Sequence, residues 1–121
     1  MSANDTFLAV FLGSKTNPRM AAWMALPEAE RRAQEQQGIA AWKAWVEANK
    51  SAVAAIGGPL GKTKRVTERG IEDVGNEMTA FMVVHADSHE AAARLFEKHP
   101  HFTVFPGDAV EIMPVLPIPG N

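Results

Sequence analysis

Two histidines flank a proline in the segment His99-Pro100-His101-Phe102. An imidazole changes its charge near neutral pH, so it can serve as a general acid or base or as a metal ligand. We predict that His101 is a catalytic residue and that His99 contacts a ligand. Residues two apart in an extended segment project to opposite sides, so one metal ion shared by both rings is not expected. The structural alternative places His99 at the free carbonyls of a helix C-terminus and packs His101 in the following loop.

Glu111 and His85 are the residues that would complete a site for proton transfer. Glu111 stands between the apolar residues Val110 and Ile112, and a carboxylate in a sheet interior needs a partner. His85 closes an apolar segment that is predicted to be a strand. If Glu111 and a histidine meet in a cavity, the carboxylate can orient the imidazole for general acid–base chemistry. The structural alternative is a salt bridge from Glu111 to one of three cations: Arg94, Arg19 or Lys62.

The other predicted ligand contacts are Gly58, Pro59, Trp23 and Asp108. The glycine-rich loop at residues 57–61 lets a backbone approach a ligand closely, but its spacing does not match a nucleotide-binding loop. Trp23 is of the type that lines apolar pockets, and such residues fill ordinary cores more often. Asp108 follows a proline-glycine turn that by itself accounts for an acid there. A metal site on Asp108 and His101 would have too few ligands, so neither a metal nor a cofactor is predicted.

The chain has 121 residues, a net charge of −2 and no cysteine. This length predicts a single domain over residues 1–121. The small net charge gives no field that attracts a polyanion, which argues against nucleic acid as a partner. Without cysteine there is no disulfide scaffold and no thiolate catalysis. The apolar run at residues 7–12 is far shorter than a membrane span, so we predict no membrane association and a cytoplasmic location.

Hydrophobic periodicity and turn residues divide the chain into strands and helices. The predicted elements are a strand at 6–13 buried on both faces, a helix at 27–48, a strand at 53–56 that turns at 57–61 into a hairpin, a charged loop at 68–76, a strand at 77–86, a helix at 88–98 capped by Asp87, and a strand at 109–115. A stripe of the long helix is predicted to face the sheet: Ile39, Trp42, Trp45 and Val46. No element is assigned to residues 17–25.

This order of elements predicts an α+β protein with an antiparallel sheet, in the split βαβ arrangement of ferredoxin-like folds. Both helices then cover the same face of the sheet. The first, penultimate and last strands carry apolar residues on both faces, and one layer of helices cannot cover both. A homodimer that packs sheet against sheet is the simplest solution.

Three segments resemble the YCII-related family, also called DGPF-domain proteins: residues 57–63, residues 99–114 and the paired tryptophans of AWKAWVE. The resemblance spans nearly the whole chain and implies a fold that dimerises into an α+β barrel. It also places Gly58-Pro59, which stand nearest to the altered Asp-Gly-Pro-Phe signature, near a cavity. A few relatives are small enzymes, one of them associated with removing chloride from an aromatic ring, with a proposed histidine–aspartate pair in the first half of the chain. The first histidine here is His85, so that pair does not carry over.

Two functions follow. The first is general acid–base chemistry, of lyase or isomerase type, on a small aromatic or carbonyl-bearing substrate, with His101 as proton donor or acceptor and Glu111 or His85 assisting. The second is a non-catalytic ligand-sensing or protein-interaction module on the same fold. The absence of a histidine from the first half of the chain favours the second.

Overall fold

A computed structural model describes residues 5–120 of the chain. Its strands are β1 (Thr6–Leu12), β2 (Val53–Pro59), β3 (Thr63–Thr67), β4 (Gly70–Val74), β5 (Met78–His85) and β6 (Ala109–Pro114). Its helices are α1 (Pro18–Ala25), α2 (Glu28–Ala48), α3 (His89–Arg94) and α4 (Pro100–Thr103). The predicted long helix and the predicted strands at 6–13, 77–86 and 109–115 are confirmed to within about two residues at each end.

Four strands form one antiparallel sheet in the order β2-β5-β1-β6. The central strand β1 pairs antiparallel with β5 and with β6, and β2 pairs antiparallel with β5. The units β1–α2–β2 and β5–α3–β6 are therefore split βαβ units, each with a strand of the other unit between its two parallel strands. The predicted ferredoxin-like α+β fold is confirmed.

The face of the sheet that the helices cover holds the hydrophobic core. Alternate residues of β1 and β5 point into this inner face and are buried: Phe7, Ala9, Phe11, Ala80, Met82 and Val84. Trp42, Trp45 and Val46 of α2 pack against them, as the stripe predicts. Ile39 is exposed, so the prediction is wrong for that residue. The stripe instead includes Gly38, which lies one turn before Trp42. Gly38 is the buried residue of α2.

Gly38 permits a close approach between α2 and the segment before β6. A Cβ atom built on Gly38 would collide with the ring of Phe105. The glycine therefore provides space for an aromatic side chain, and this need outweighs its low helix propensity.

The opposite, outer face of the sheet carries apolar side chains that no helix within residues 5–120 covers. They are Leu8 and Val10 of β1, Phe81 and Val83 of β5, and Met113 of β6, which the strand pairing places side by side. Phe81 and Met113 are 36% and 41% exposed. The strand predicted to be buried on both faces is therefore buried on one face within the chain.

Two local predictions in the hairpin region are wrong. β2 continues through Gly57, Gly58 and Pro59 instead of turning there, because a positive φ at Gly57 accommodates the chain in an irregular pairing with β5. The hairpin forms further on, between β3 and β4, and β4 occupies most of the predicted charged loop. Cross-strand pairs of β-branched residues, Thr63–Val74 and Val66–Ile71, and two ion pairs, Lys64–Asp73 and Arg65–Glu72, support these strands.

The third helix is shorter than predicted and begins one residue later. Ser88, not Asp87, caps it, and its hydroxyl accepts a hydrogen bond from the backbone N–H of Ala91. The helix ends at Arg94 and is followed by turns that close at Lys98, whose φ of 58° is left-handed. Within residues 5–120, no helix is both long and apolar enough to cross a membrane.

Candidate functional site

The segment with the two histidines starts a helix of its own. His99 is the N-cap of α4 and Pro100 occupies its first turn, where a missing N–H costs nothing. The backbone N–H of His101 donates to Nδ1 of His99 over 3.0 Å. Because the segment is helical, both rings lie on the inner face of the sheet, with centroids 5.1 and 5.3 Å from that of Phe11. The expectation that they project to opposite sides is wrong.

His99 is a fully buried side chain enclosed by aromatic rings. The centroids of four rings lie 4.5 to 5.8 Å from that of its imidazole, namely Trp42, Trp45, Phe11 and Phe96. Since Nδ1 accepts a hydrogen bond, the neutral ring carries its proton on Nε2, which has no hydrogen-bond partner among residues 5–120. Burial, followed by the neighbouring His101, lowers the pKa of His99 to about 4. A neutral, water-excluded imidazole is suited to capping and packing.

His101 is held between the end of β1 and the turn before β6. Its Nε2 donates to the carbonyl oxygen of Leu12 over 2.8 Å, and the side chain is only slightly exposed. A Cβ atom on Gly107 would collide with its ring, so this glycine provides the space for the imidazole. Burial is the largest influence and lowers the pKa of His101, while its bond to Leu12 and the charge of Asp108 oppose the shift.

Around His101 a polar network joins α1 to the turn before β6. The guanidinium of Arg19 donates to the carbonyls of Gly107, over 2.8 Å, Phe105, over 2.7 Å, and Phe102. The side chain of Asn17 caps α1 and donates to Asp108 over 2.7 Å. Asp108 also accepts from the backbone N–H of Ser14. The carboxylate of Asp108 thus organises two loops, which extends the turn role that the sequence suggests.

A surface groove of about 290 Å³ lies beside this network. Its lining residues come from α1, α2 and the turn before β6: Arg19, Ala22, Trp23, Leu26, Gln34, Val104 and Pro106. The half-buried ring of Trp23 lies 5.8 Å from that of Phe105 between their centroids. Among the predicted ligand contacts, Trp23 is therefore the residue that lines this groove. The sequence analysis assigns no element to α1 and names Arg19 only as a salt-bridge partner for Glu111, although Asn17-Pro18 is the pattern of an N-cap followed by a helix-starting proline.

The remaining predicted residues lie elsewhere and do not join His101. Glu111 is exposed on the outer face, where it pairs with Val10, and it forms no salt bridge within residues 5–120. His85 is exposed on the same face but lies opposite Thr6, four residues from Val10 along β1. Glu111 and His85 are thus about 16 Å apart, and the sheet separates both from His101. The prediction that Glu111 is buried is wrong because its neighbours Val110 and Ile112 face the helices.

Gly58 and Pro59 sit at the end of the edge strand β2, opposite Phe81 and Ala80. Three strand spacings, or about 14 Å, separate Gly58 from Glu111 across the outer face. Within residues 5–120, no group of three or more histidine, aspartate or glutamate side chains is placed to hold a metal ion.

The fold and the groove define a small α+β protein of ferredoxin-like topology with a polar-edged aromatic groove. Neither a protein-family model nor a curated protein matches the sequence. Among solved structures, the chain is similar to 5-chloro-2-hydroxyhydroquinone dehydrochlorinase from Burkholderia phenoliruptrix in complex with 2,5-dihydroxybenzoquinone, with 16% identity and a TM-score of 0.52. The similarity covers 89% of this chain and 90% of that chain. At this identity the likeness is one of fold.

Proposed function

We propose that the chain is a YCII-related protein that binds a small planar organic molecule in the groove beside Trp23. The observation that carries this proposal is the groove itself, where an indole ring forms one wall and Arg19 and Gln34 supply polar groups. Pockets for drug-sized ligands span about 300–1,000 Å³. A groove of about 290 Å³ therefore fits a molecule of one ring with a few substituents.

The polar lining favours a ligand rich in acceptor oxygens. Arg19 is the charged residue among the lining side chains, and its guanidinium stays positive while it anchors the turn before β6. The amide of Gln34 adds a neutral donor. A carbonyl, phenolate or carboxylate oxygen on an aromatic ring complements both groups. The structural neighbour binds 2,5-dihydroxybenzoquinone, a compound of this class.

We also propose that the protein is a homodimer in which the outer faces of two sheets pack against each other. A row of apolar side chains on a four-stranded sheet, uncovered by any described element, is typical of an interface. A second copy supplies the missing layer with the same self-complementary surface, as two-fold symmetry requires. The ligand groove lies beyond the helix side of the sheet and stays open in such a dimer.

Ligand binding is tested by NMR on the indole N–H groups. The chain has three tryptophans, and a Trp23→Phe variant identifies the signal of Trp23. The probes are small phenols, quinones and aromatic carboxylates, including 2,5-dihydroxybenzoquinone. We expect at least one probe to shift the Trp23 signal in a saturable way while the Trp45 signal, whose N–H bonds to Leu95, stays in place.

The matched control compares Trp23→Ala with Met24→Ala. Met24 is exposed on the same helix and does not line the groove. Loss of binding in Trp23→Ala alone supports the groove. Equal binding by both variants, or no saturable shift with any probe up to about 1 mM, a concentration that corresponds to about 4 kcal/mol of affinity, contradicts the proposal.

A second candidate function is general acid–base chemistry on the same ligand, of lyase or isomerase type, with His101 as the proton donor or acceptor. The observation that favours it is the fixed, neutral imidazole of His101 against Gly107, next to the groove residue Pro106. The test is product formation from the bound probes, followed by mass spectrometry. We expect turnover by the wild type and none by His101→Gln; binding without turnover by the wild type would leave the chain a ligand-sensing module.

A further inference from the structure

The hairpin of β3 and β4, residues 63–74, forms an arm that stands apart from the rest of the chain. Its two strands form their own two-stranded sheet and pair with no strand of the main sheet in the described chain. All of its strand residues except Thr63 and Val74 are exposed. An isolated two-stranded hairpin is marginally stable in water, so the arm is expected to gain support from another surface.

The arm carries an apolar pair near its tip. Val66 and Ile71 are directly opposite each other across the two strands and are 72% and 70% exposed. Because side chains alternate along a strand, these two share one face of the arm, whereas Arg65 and Glu72 occupy the other. The same face carries the exposed Lys64–Asp73 ion pair two residues further from the tip, so the part of the arm suited to an apolar contact is the pair at its tip.

The tail after β6, residues 115–120, is a second uncovered apolar segment. Leu116 and Ile118 are 64% and 72% exposed. The backbone N–H of Val115 donates to the carbonyl of Thr6 over 2.9 Å, so the tail leaves the sheet at the first residue of β1. The tail follows the edge strand β6, whereas the arm connects β2 and β5 at the opposite edge of the sheet.

Arm and tail thus leave opposite corners of one sheet. The arm begins beside the end of β1, where the N–H of Gly13 donates to the carbonyl of Glu77. Across the diagonal, the two corners of a sheet of four strands and about seven residues lie about 30 Å apart. Within residues 5–120 the arm and tail do not cover each other, since Val66, Ile71, Leu116 and Ile118 all stay at least 64% exposed.

A two-fold axis changes this relation. Consider two such sheets that face each other with their strands crossing at about 90°. If the two-fold axis lies between the sheets and is perpendicular to the diagonal from arm to tail, the arm corner of each chain lies over the tail corner of its partner.

The size of the interface is a second argument for this contact. The sheet face alone offers roughly 450 Å² of flat area, whereas a stable interface buries about 800 Å² per partner.

We propose that in the dimer each arm lies across the tail of a second copy of the chain, with Val66 and Ile71 against Leu116 and Ile118. This inference rests on the proposed homodimer and adds to it the packing angle and two exchanged contacts. The four side chains are among the most exposed apolar groups of the described chain, and the exchange covers all of them at once.

The test is site-specific cross-linking, for which a chain without cysteine is well suited. The double variant Val66→Cys with Ile118→Cys is treated with a short bismaleimide and analysed by denaturing electrophoresis. The control is Arg65→Cys with Ile118→Cys, since Arg65 is on the opposite face of the same strand. We expect a covalent dimer from the first pair and at least about tenfold less from the control. Sedimentation velocity of both variants reports the assembly before cross-linking.

The outcomes distinguish the exchanged contact between arm and tail from the homodimer itself. A covalent dimer from the Val66 pair alone supports the exchanged contact. A dimer in sedimentation that yields no covalent dimer, or equal yields from both pairs, overturns the exchange and leaves the homodimer standing. A monomer in sedimentation overturns both.

Discussion

The two faces of the sheet carry similar apolar residues but differ in how completely these residues are buried. On the inner face Phe11 is fully buried among Trp42, Phe96 and the two histidines, and every neighbouring ring constrains it. On the outer face Phe81 has the same side chain in the adjacent strand but remains 36% exposed. The pattern of alternating apolar residues looks the same from either side. What distinguishes the faces is whether this chain supplies the covering layer.

The largest effect that separates the faces is the loss of an aromatic ring from each. Phe11→Ala should lower the free energy of unfolding by about 3–5 kcal/mol, because it removes the ring that joins the sheet to α2 and α4. Phe81→Ala should cost less than about 2 kcal/mol, since part of its ring is exposed in the single chain. Urea unfolding followed by circular dichroism at low protein concentration measures both. Equal losses would mean that the two faces are packed alike.

Acid should weaken the inner face through His99. The folded-state pKa of about 4 lies below the ordinary value of about 6.5, so the unfolded chain binds this proton first as the pH falls. The contribution of His99 to stability is therefore complete above pH 6.5 and falls by about 3 kcal/mol on the way to pH 4. The lowered pKa of His101 acts in the same direction.

His99→Asn gives the control for this acid effect, because asparagine keeps an acceptor at the N-cap but does not titrate. We expect the variant to be less stable at pH 7, from lost ring packing, and to have a shallower slope of unfolding free energy between pH 6.5 and 4. An unchanged slope would show that other groups cause the acid sensitivity.

A smaller effect tests the space around His101. Gly107→Ala forces the imidazole away from the carbonyl of Leu12 and should destabilise the fold by about 1–3 kcal/mol. Gly61→Ala is the matched control, because nothing lies within 4 Å of its added Cβ atom. Thermal unfolding compares the two variants. A Gly107→Ala protein as stable as the control would show that the His101 ring has room to move.

The smallest expected effect is on the outer face. At protein concentrations low enough to keep the chain monomeric, Glu111→Gln should change the free energy of unfolding by no more than about 0.5 kcal/mol, as is usual for an exposed residue without a specific partner. Asp108→Asn, which weakens bonds to Asn17 and Ser14, should cost about 1 kcal/mol. If Glu111→Gln proves the more damaging change, Glu111 has a partner that the single chain does not supply.

The sequence predicted the fold better than the site, for a physical reason. Strand β1 and helix α2 follow from local periodicity, which depends on the residues of each element alone. Glu111 lies in a run that alternates with apolar residues, and alternation does not say which side meets the helices. That choice depends on pairing with β1, which lies some hundred residues away along the chain.

Both missed helices begin in the same way. Asn17-Pro18 and His99-Pro100 are each a capping residue followed by proline at the first helical turn. Because the chain is extended before such a proline, the pair at His99 also fits the end of a helix, as the sequence predicts there. The same feature also starts helices. With α1 and α4 assigned, Arg19, Trp23 and His101 each lie on a short helix that follows such a pair.

The account depends most directly on the claim that a second copy covers the outer face. Sedimentation velocity of the wild type, Val10→Lys and Ile39→Lys tests it. A lysine at position 10 lies opposite Glu111, and this pairing is favourable in the single chain. In the dimer, however, the substitution places an additional charge in a buried, mostly apolar interface. Ile39 is an exposed apolar control on α2.

We predict a wild-type species of twice the 13.1 kDa chain mass, a monomeric Val10→Lys and a dimeric Ile39→Lys. A monomeric wild type, or a Val10→Lys variant that remains a dimer, would contradict the claim that the outer face of the sheet is the interface between two copies.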